Sequence, residues 1–469
     1  MEFSIDGVGD FLLPMVKKRF RRWSHPSSVK GCDVFRSFPI VRFWQSLCLL
    51  IVICGLVLPA AVAEETAHQP DFAALVAQHE ERTIADRRWF HANPELSGRE
   101  YGTQAKLRRD LQEIPGVELI EGDWGTGLLA ILKGGRPGPL VAWRADTDAL
   151  PITEETGLPF ASTKRDTLRG REVGVMHACG HDIHMSVAMG ALRVLADVRD
   201  QMPGSLLFIL QPAEETGDGA QQMLEAGVFA NGLKPKCVLA LHDHPTIECG
   251  KVGSCAGWSS ANVDGFRLVV KGQGGHGAYP HKAVDPVTLA AQMVIAFNNI
   301  VAREMDVNHP CVISVGSIHG GAKGNVIPDE VVLEATVRSH DDRTRQALPE
   351  KIERAVFGLA EAAGAEAPIL EYDWGTPAGY NDPELVAQVR KVVQRVLGPE
   401  GDVVYPPGMG GEDFSRYGRE VPGFQFRLGV DPPGGTTSLH SSTFTPDERS
   451  VAIGMRIVAE IIWDQLQRP

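Results

Sequence analysis

Leu140-Val141-Ala142-Trp143-Arg144-Ala145-Asp146-Thr147-Asp148-Ala149-Leu150-Pro151 is the stretch whose reading decides the fold. Its first four residues are apolar without alternation, which suits a strand buried on both faces rather than one with a wet side. Such a strand needs helices above and below it. The run then stops on two aspartates and a proline, so it delivers a pair of acids to its carboxyl end. Three more short apolar runs, 206–210, 238–241 and 424–428, have the same character. Helical patterns over 105–111, 183–198 and 383–396 lie between them. Alternating strands and helices imply an α/β sheet with helices on both faces.

Working outward, the middle of the chain has a different order. A strand over 266–271 leads to a helix near 285–305, strands over 311–318 and 331–339, a helix near 343–363 and a strand near 369–373. That β-α-β-β-α-β order is the ferredoxin-like sandwich. It places a small α+β domain at 258–374, inserted into a larger α/β domain made of 64–257 and 375–469. A chain of 469 residues is expected to hold more than one domain on length alone.

Residues 1–63 are of another kind. They hold eight Lys/Arg against four acids, whereas the remainder holds 38 basic and 55 acidic residues. A basic stretch precedes an apolar run over 47–58, then Pro59 and Ala61-Val62-Ala63, which is the order of a secretory signal cleaved after Ala63. The apolar run is shorter than the ~20 residues of a spanning helix. The expectation is an exported protein, periplasmic or secreted, with no stable membrane association after cleavage. A formal net charge of -13 argues against nucleic acid as a partner, because phosphate binding calls for a basic surface. Five cysteines come after the leader: Cys179, Cys237, Cys249, Cys255 and Cys311. An odd number, in a chain too long to need a disulfide framework, leaves a thiol for other work.

In an open α/β sheet, ligands gather beyond the carboxyl ends of the strands. Asp146 and Asp148 come after the first run. A Gly-containing turn then presents Met176-His177-Ala178-Cys179-Gly180-His181-Asp182-Ile183-His184. Thiolate and imidazole are strong ligands for zinc-like metals, and Cys-x-His can set both on one side of a turn. Glu214 and Glu215 come after the second run. Adjacent side chains point different ways, so one can bind metal while its neighbour stays free as a base. The third run ends on His242-Asp243-His244, which offers two imidazoles, and His440 lies beyond the fourth. Each acid pair alone could simply complement a helix start, and each histidine could simply sit at the surface. Their coincidence at one sheet edge is what points to metal chemistry.

The residues stand in recognisable motifs: Arg144-Ala-Asp-Thr-Asp-Ala-Leu-Pro151, His177-Ala-Cys-Gly-His-Asp-Ile-His184, Gln211-Pro-Ala-Glu-Glu215, Gly274-Gly-His-Gly-Ala-Tyr-Pro-His281, Asn325-Val-Ile-Pro-Asp329, Gly410-Gly-Glu-Asp-Phe414 and Leu439-His440. In this order the chain resembles the dinuclear-metal aminoacylase and carboxypeptidase peptidases, and within them the hippurate hydrolase and indole-acetyl-amino-acid hydrolase group. The similarity runs from about residue 81 to the C-terminus. The resemblance implies a zinc-peptidase-like α/β catalytic domain whose inserted ferredoxin-like domain serves as lid and dimerisation surface of a homodimer. It implies two divalent metal ions per subunit, with Mn, Zn, Co and Ni all compatible with mixed S/N/O ligands. Cys179 would bridge them, and His181, Glu215, His242 and His440 would complete the ligands. Glu214 resembles the general base, and Asp146 a carboxylate that orients a ligand. His276, Asn325 and Arg338 resemble residues that hold the substrate's carbonyl and carboxylate, with His276 reaching the metals by domain closure or from a partner subunit. The implied reaction is hydrolysis of the amide of an N-acyl amino acid of N-acetyl, N-benzoyl or indole-acetyl type.

Three other readings compete with this one. Gly272-Gln273-Gly274-Gly275-His276-Gly277 fits the G-x-G-x-x-G dinucleotide pattern after a strand, but Tyr279-Pro280 and Pro286 interrupt the helix that should come next, and no acid stands at the required offset of ~20 residues. An exported binding protein that lost its chemistry is disfavoured by the presence of both Glu214 and Glu215. A dipeptide or N-carbamoyl amino acid as substrate stays open.

Overall fold

The computed structural model describes residues 69–468. The leader over 1–63 and its cleavage site after Ala63 lie outside the described residues. An eight-stranded mixed sheet runs in the order Val117–Ile120, Leu128–Lys133, Pro203–Gln211, Arg136–Asp146, Val238–Glu248, Gly423–Asp431, Val252–Ser254, Asp402–Val404. The four strands at its centre, from Pro203–Gln211 to Gly423–Asp431, are parallel. They contain the four apolar runs read from the sequence, so their carboxyl ends share one edge.

Alternation along these strands sorts the side chains into two cores. Val141, Trp143, Leu206, Phe208, Leu239 and Leu241 pack under the helices Phe72–Ala92, His181–Asp197 and Arg449–Leu466. Ala142, Leu207, Ile209, Val238 and Ala240 face the other way, onto Met223, Phe414 and Tyr417. Burial on both faces is why the runs lack polar alternation. The helix His181–Asp197 is buried all round, every residue from His181 to Ala196 being inside. A helix apolar on all sides belongs in the middle of a layer, and this one carries His181 at its first position.

The second sheet has four strands in the order Cys311–Gly320, Glu330–Ser339, Asn262–Lys271, Ile369–Asp373, with all neighbours antiparallel. Counted in chain order this is 2-3-1-4, the ferredoxin-like arrangement expected for the middle of the chain. Its own core joins Phe266, Leu268, Leu333 and Val337 to Leu289 and Met293 of the helix Pro286–Asn299 and to Leu348 and Ile352 of the helix Asp342–Ala362. The first of these helices starts where the sequence places it, because Pro286 takes the first position and Asp285 accepts from the Val287 N–H at 2.9 Å. Its expected end near residue 305 is different in kind, since the α-helix gives way to a π turn over Ile300–Glu304.

Gly275–His276 pairs with Val326–Ile327 in a two-residue ribbon. The glycine loop leads into a short 3-10 turn, Pro280–Lys282, rather than the start of a long helix. The backbone for a dinucleotide phosphate site is therefore not formed there. Among the described residues, no helix is long and apolar enough to cross a membrane.

Candidate metal centre

The centre is built on the turn Ala178-Cys179-Gly180. Gly180 has φ 76°, and a Cβ at this position would lie 2.3 Å from the Asp243 carboxylate. Only glycine fits both demands, so the helix can start at His181 directly after Cys179. The His181 Nδ1–H donates to the Asp148 carbonyl at 2.8 Å, which leaves Nε2 aimed away from it, buried and without a hydrogen-bond partner. The backbone N–H of His440, a residue with φ 63°, donates to the Ala178 carbonyl at 2.8 Å. That bond brings His440 Nε2 to 3.3 Å from Cys179 Sγ. His242 Nδ1–H donates to the Asp243 carbonyl at 2.7 Å, and its Nε2 lies 3.6 Å from the same sulfur. Glu215 is seated by its backbone N–H, which donates to Asp148 Oδ2 at 3.0 Å. Its Oε1 lies 3.7 Å from His440 Nε2 and 3.9 Å from His181 Nε2.

The five expected ligands thus converge, and among the sets of donors that lie close together two share Cys179, while a further one joins His181 to Glu214 and Glu215. Ligand atoms of Cys179, His181 and His242 lie within 4.8 Å of one another, and so do those of Cys179, Glu215 and His440. The sulfur is common to both. His244 stands apart from them. It shares hydrogen bonds with the Tyr405 hydroxyl at 2.8 Å and the Thr246 hydroxyl at 3.1 Å, so both of its ring nitrogens are engaged. Burial, then the nearby Arg427 charge, push it down to about 4.

The chemistry of the cluster fits metal ions. Burial, then Glu215, push the Cys179 thiol well above its ordinary range, while burial pushes Glu215 up to about 7 against the pull of His181. His181 Nε2 and Glu215 Oε1 are both buried without a hydrogen-bond partner. Buried polar atoms left unpaired are costly, and a cation among them removes that cost and favours the thiolate. One sulfur, three imidazoles and a carboxylate suit a divalent transition metal.

Asp146 reaches none of the five by a hydrogen bond. Its Oδ1 lies 2.6 Å from His184 Nδ1, and its Oδ2 accepts from Arg144 at 2.5 Å. Its Oδ2 is 3.8 Å from His181 Nε2. The group that orients His181 is Asp148, through its carbonyl. Arg144 also donates to Gln211 at 2.9 Å, Glu412 at 3.1 Å and Asp413 at 2.9 Å. Glu412 and Asp413 line the same cavity as Glu214, which is pushed well above the carboxylate range by burial, then by Glu412, Asp413 and Glu215. The motif Gly410-Gly-Glu-Asp-Phe414 contains both acids, but only the fold brings them to Arg144.

The cavity has a volume of about 570 Å³. Cys179, Glu214, Glu215, His242 and His440 line one part of it, and Arg338 enters from the second sheet. His276 and Asn325 come together across the ribbon, where the Gly277 N–H donates to the Asn325 carbonyl at 2.9 Å. Both are exposed, and neither lines the cavity.

A fold of this kind with a histidine, cysteine and glutamate cluster at its sheet edge defines a metallo-amidohydrolase. Residues 142–464 match the model of Peptidase family M20/M25/M40, and the chain belongs to that family. It is 38% identical over 383 residues to an N-acetylcysteine deacetylase of Bacillus subtilis strain 168, covering 81% of this chain and 96% of that protein. It is also 38% identical over 383 residues to an N-acetyldiaminopimelate deacetylase of Geobacillus sp. strain WCH70, covering 81% and 97%. Among solved structures it is similar to the Bacillus subtilis YXEP protein, described as a dinuclear metal binding peptidase from the M20 family, with a TM-score of 0.72 and 34% identity over 83% of this chain and 99% of that one.

Gly180→Ala tests the seat of the cluster. A left-handed backbone costs a non-glycine residue roughly 1–2 kcal/mol, before the clash with Asp243 is added. The variant is expected to melt lower and to hold less metal on elemental analysis. Unchanged melting and metal content would contradict this account of Gly180.

Proposed function

We propose that the protein hydrolyses the amide bond of an N-acyl amino acid of N-acetyl, N-benzoyl or indole-acetyl type. The observation that carries this reading is the sorting of five ligand residues into two groups that share Cys179, with Glu214 beside them. Cys179, His181 and His242 would hold one divalent ion, and Cys179, Glu215 and His440 a second. Such ions supply a Lewis acid for the amide carbonyl and bring the pKa of water toward neutrality. Glu214 takes the proton of the attacking water and returns it to the leaving amine nitrogen. Glu214 lines the cavity beside Glu215, which places it within reach of a water at the proposed ions. Arg338 pairs with the substrate carboxylate. His276 and Asn325 hold the substrate carbonyl once the segment 258–374 acts as a lid or a partner subunit brings its copy. The names of the deacetylase relatives support this class of substrate.

A hydrolysis screen on N-acetyl, N-benzoyl and indole-acetyl amino acids, with dipeptides and N-carbamoyl amino acids beside them, tests the reaction. Turnover of the last two groups alone would replace the substrate class. Glu214→Gln is expected to keep its metal and to lose at least ~10²–10⁴-fold in turnover, the usual share of a general base. Near-normal rates in that variant would end its role.

Cys179→Ser is expected to lose at least one ion per chain and most activity, because a neutral hydroxyl is a poor bridge. Metal should also shield the Cys179 thiol from alkylation, and a chelator should expose it, while the other four cysteines do not change with it. Two ions per chain in Cys179→Ser would rule out the bridge.

We also propose export with cleavage after Ala63 and a homodimer formed through the segment 258–374. A mature protein whose mass spectrum begins at Glu64, and a light-scattering mass twice that of the chain, are the expected results. A full-length cytoplasmic chain would refute the first, and monomer at working concentration the second.

A further inference from the structure

The cavity holds a second guanidinium that no group among the described residues neutralises. Arg427 sits on the strand Gly423–Asp431, opposite His242 in the parallel register. Its neighbours Phe426 and Leu428 point into the core, so Arg427 takes the other face, where it lines the cavity. It is half-buried, and among the described residues it makes no side-chain hydrogen bond or ion pair.

The acids nearby are already engaged. Glu412 accepts from Arg144 at 3.1 Å and from Gln425 at 2.6 Å. Asp413 accepts from Arg144 at 2.9 Å and from Gln211 at 2.8 Å. The other two acids that line the cavity, Glu214 and Glu215, belong to the candidate metal centre. Gly253 stands opposite Arg427 on the neighbouring antiparallel strand, and a Cβ there would meet Ile247 Cδ1 at 2.5 Å and Arg427 Cβ only at 3.4 Å.

Arg338 is held differently, donating to the carbonyls of Val337 at 3.1 Å and Asp264 at 3.3 Å and to the Thr336 hydroxyl. The cavity therefore carries two cations on two different sheets. A guanidinium that lines the cavity without an anionic partner is open to a ligand, and its planar fork matches a carboxylate.

We propose that Arg427 receives a second carboxylate of the substrate, which makes the enzyme selective for N-acyl derivatives of dicarboxylic amino acids. This rests on the proposed reaction, in which Arg338 takes the α-carboxylate. N-acetyl-glutamate and N-acetyl-glutamine differ in that second carboxylate and hardly in size, so their kcat/KM ratio isolates it.

The ratio is measured with the metal-loaded wild type, R427Q and R427K, each with a thermal melt. The wild type is expected to favour the glutamate derivative by roughly 10- to 100-fold, the size of one charge-assisted hydrogen bond. The ratio should fall toward one in R427Q and recover in part in R427K, which keeps the charge. A wild-type ratio near one, unmoved by R427Q, overturns the assignment. So does an equal loss on both substrates in R427Q, which would place the α-carboxylate on Arg427 instead. A wild type that cleaves neither of these, nor N-acetyl-methionine, nor the N-benzoyl and indole-acetyl amino acids of the hydrolysis screen, overturns the reaction itself, and this assignment with it.

Discussion

Arg144 is the interaction on which the sheet edge depends. Its guanidinium is fully buried and donates to Asp146, Gln211, Glu412 and Asp413, which come from three separate segments of the chain. Asp146 at the end of its strand, and Glu412 and Asp413 just ahead of the helix Ser415–Glu420, could not be withdrawn from water together without it. Removing one partner of such a buried network leaves the others uncompensated, at a cost of roughly 3–5 kcal/mol. The same clamp sets the electrostatics of Glu214. Asp413 and Glu412 are near enough to raise its proton affinity, but they are held by Arg144 and Gln211 and so stay in place.

Much of the frame is legible because the strands are buried on both faces, which writes unbroken apolar runs into the chain. The β-α-β-β-α-β order of the middle segment is legible for a similar reason, since each element carries its own period and its own turn residues. The π turn at Ile300–Glu304 is not, because it keeps the apolar spacing of the helix it ends. The candidate ligands are legible as residue types beyond strand ends. Their division into two groups is not, as it depends on which ring nitrogen each histidine turns inward. His242 and His244 are equivalent on paper, and hydrogen bonds to Tyr405 and Thr246 separate them. Arg427 escapes a reading of the sequence altogether. In the run Phe424-Gln425-Phe426-Arg427-Leu428 a lone arginine looks like an ordinary polar interruption of a strand.

The resemblance to dinuclear-metal peptidases points to Asp146 as the carboxylate that orients a ligand. Asp148 is engaged with two of the candidate ligands, its carbonyl accepting from His181 and its carboxylate from the backbone N–H of Glu215. One residue thereby aligns a member of each ligand group. Asp146 instead belongs to the chain Arg144, Asp146, His184, Asp243, which runs beneath the cluster and supports the turn that carries Cys179. Asp243 is also the residue against which Gly180 packs, so the support and the turn are in direct contact.

The contact between Cys179 and His440 joins residues 261 apart in the chain. The group of Cys179, Glu215 and His440 therefore draws on segments far apart, so no short fragment of the protein can assemble it by itself. Closing such long loops is slow and rewards the chain only when the sheets have already formed. A small metal-binding domain whose ligands are neighbours in sequence can be nucleated by its ion. For this group the order is reversed. The polypeptide has to complete most of its fold first, and an ion meets these three donors together only once the strand Gly423–Asp431 and the loop after it are in place. Metal scarcity during synthesis should therefore leave a folded, unloaded enzyme waiting for its ions rather than a misfolded chain.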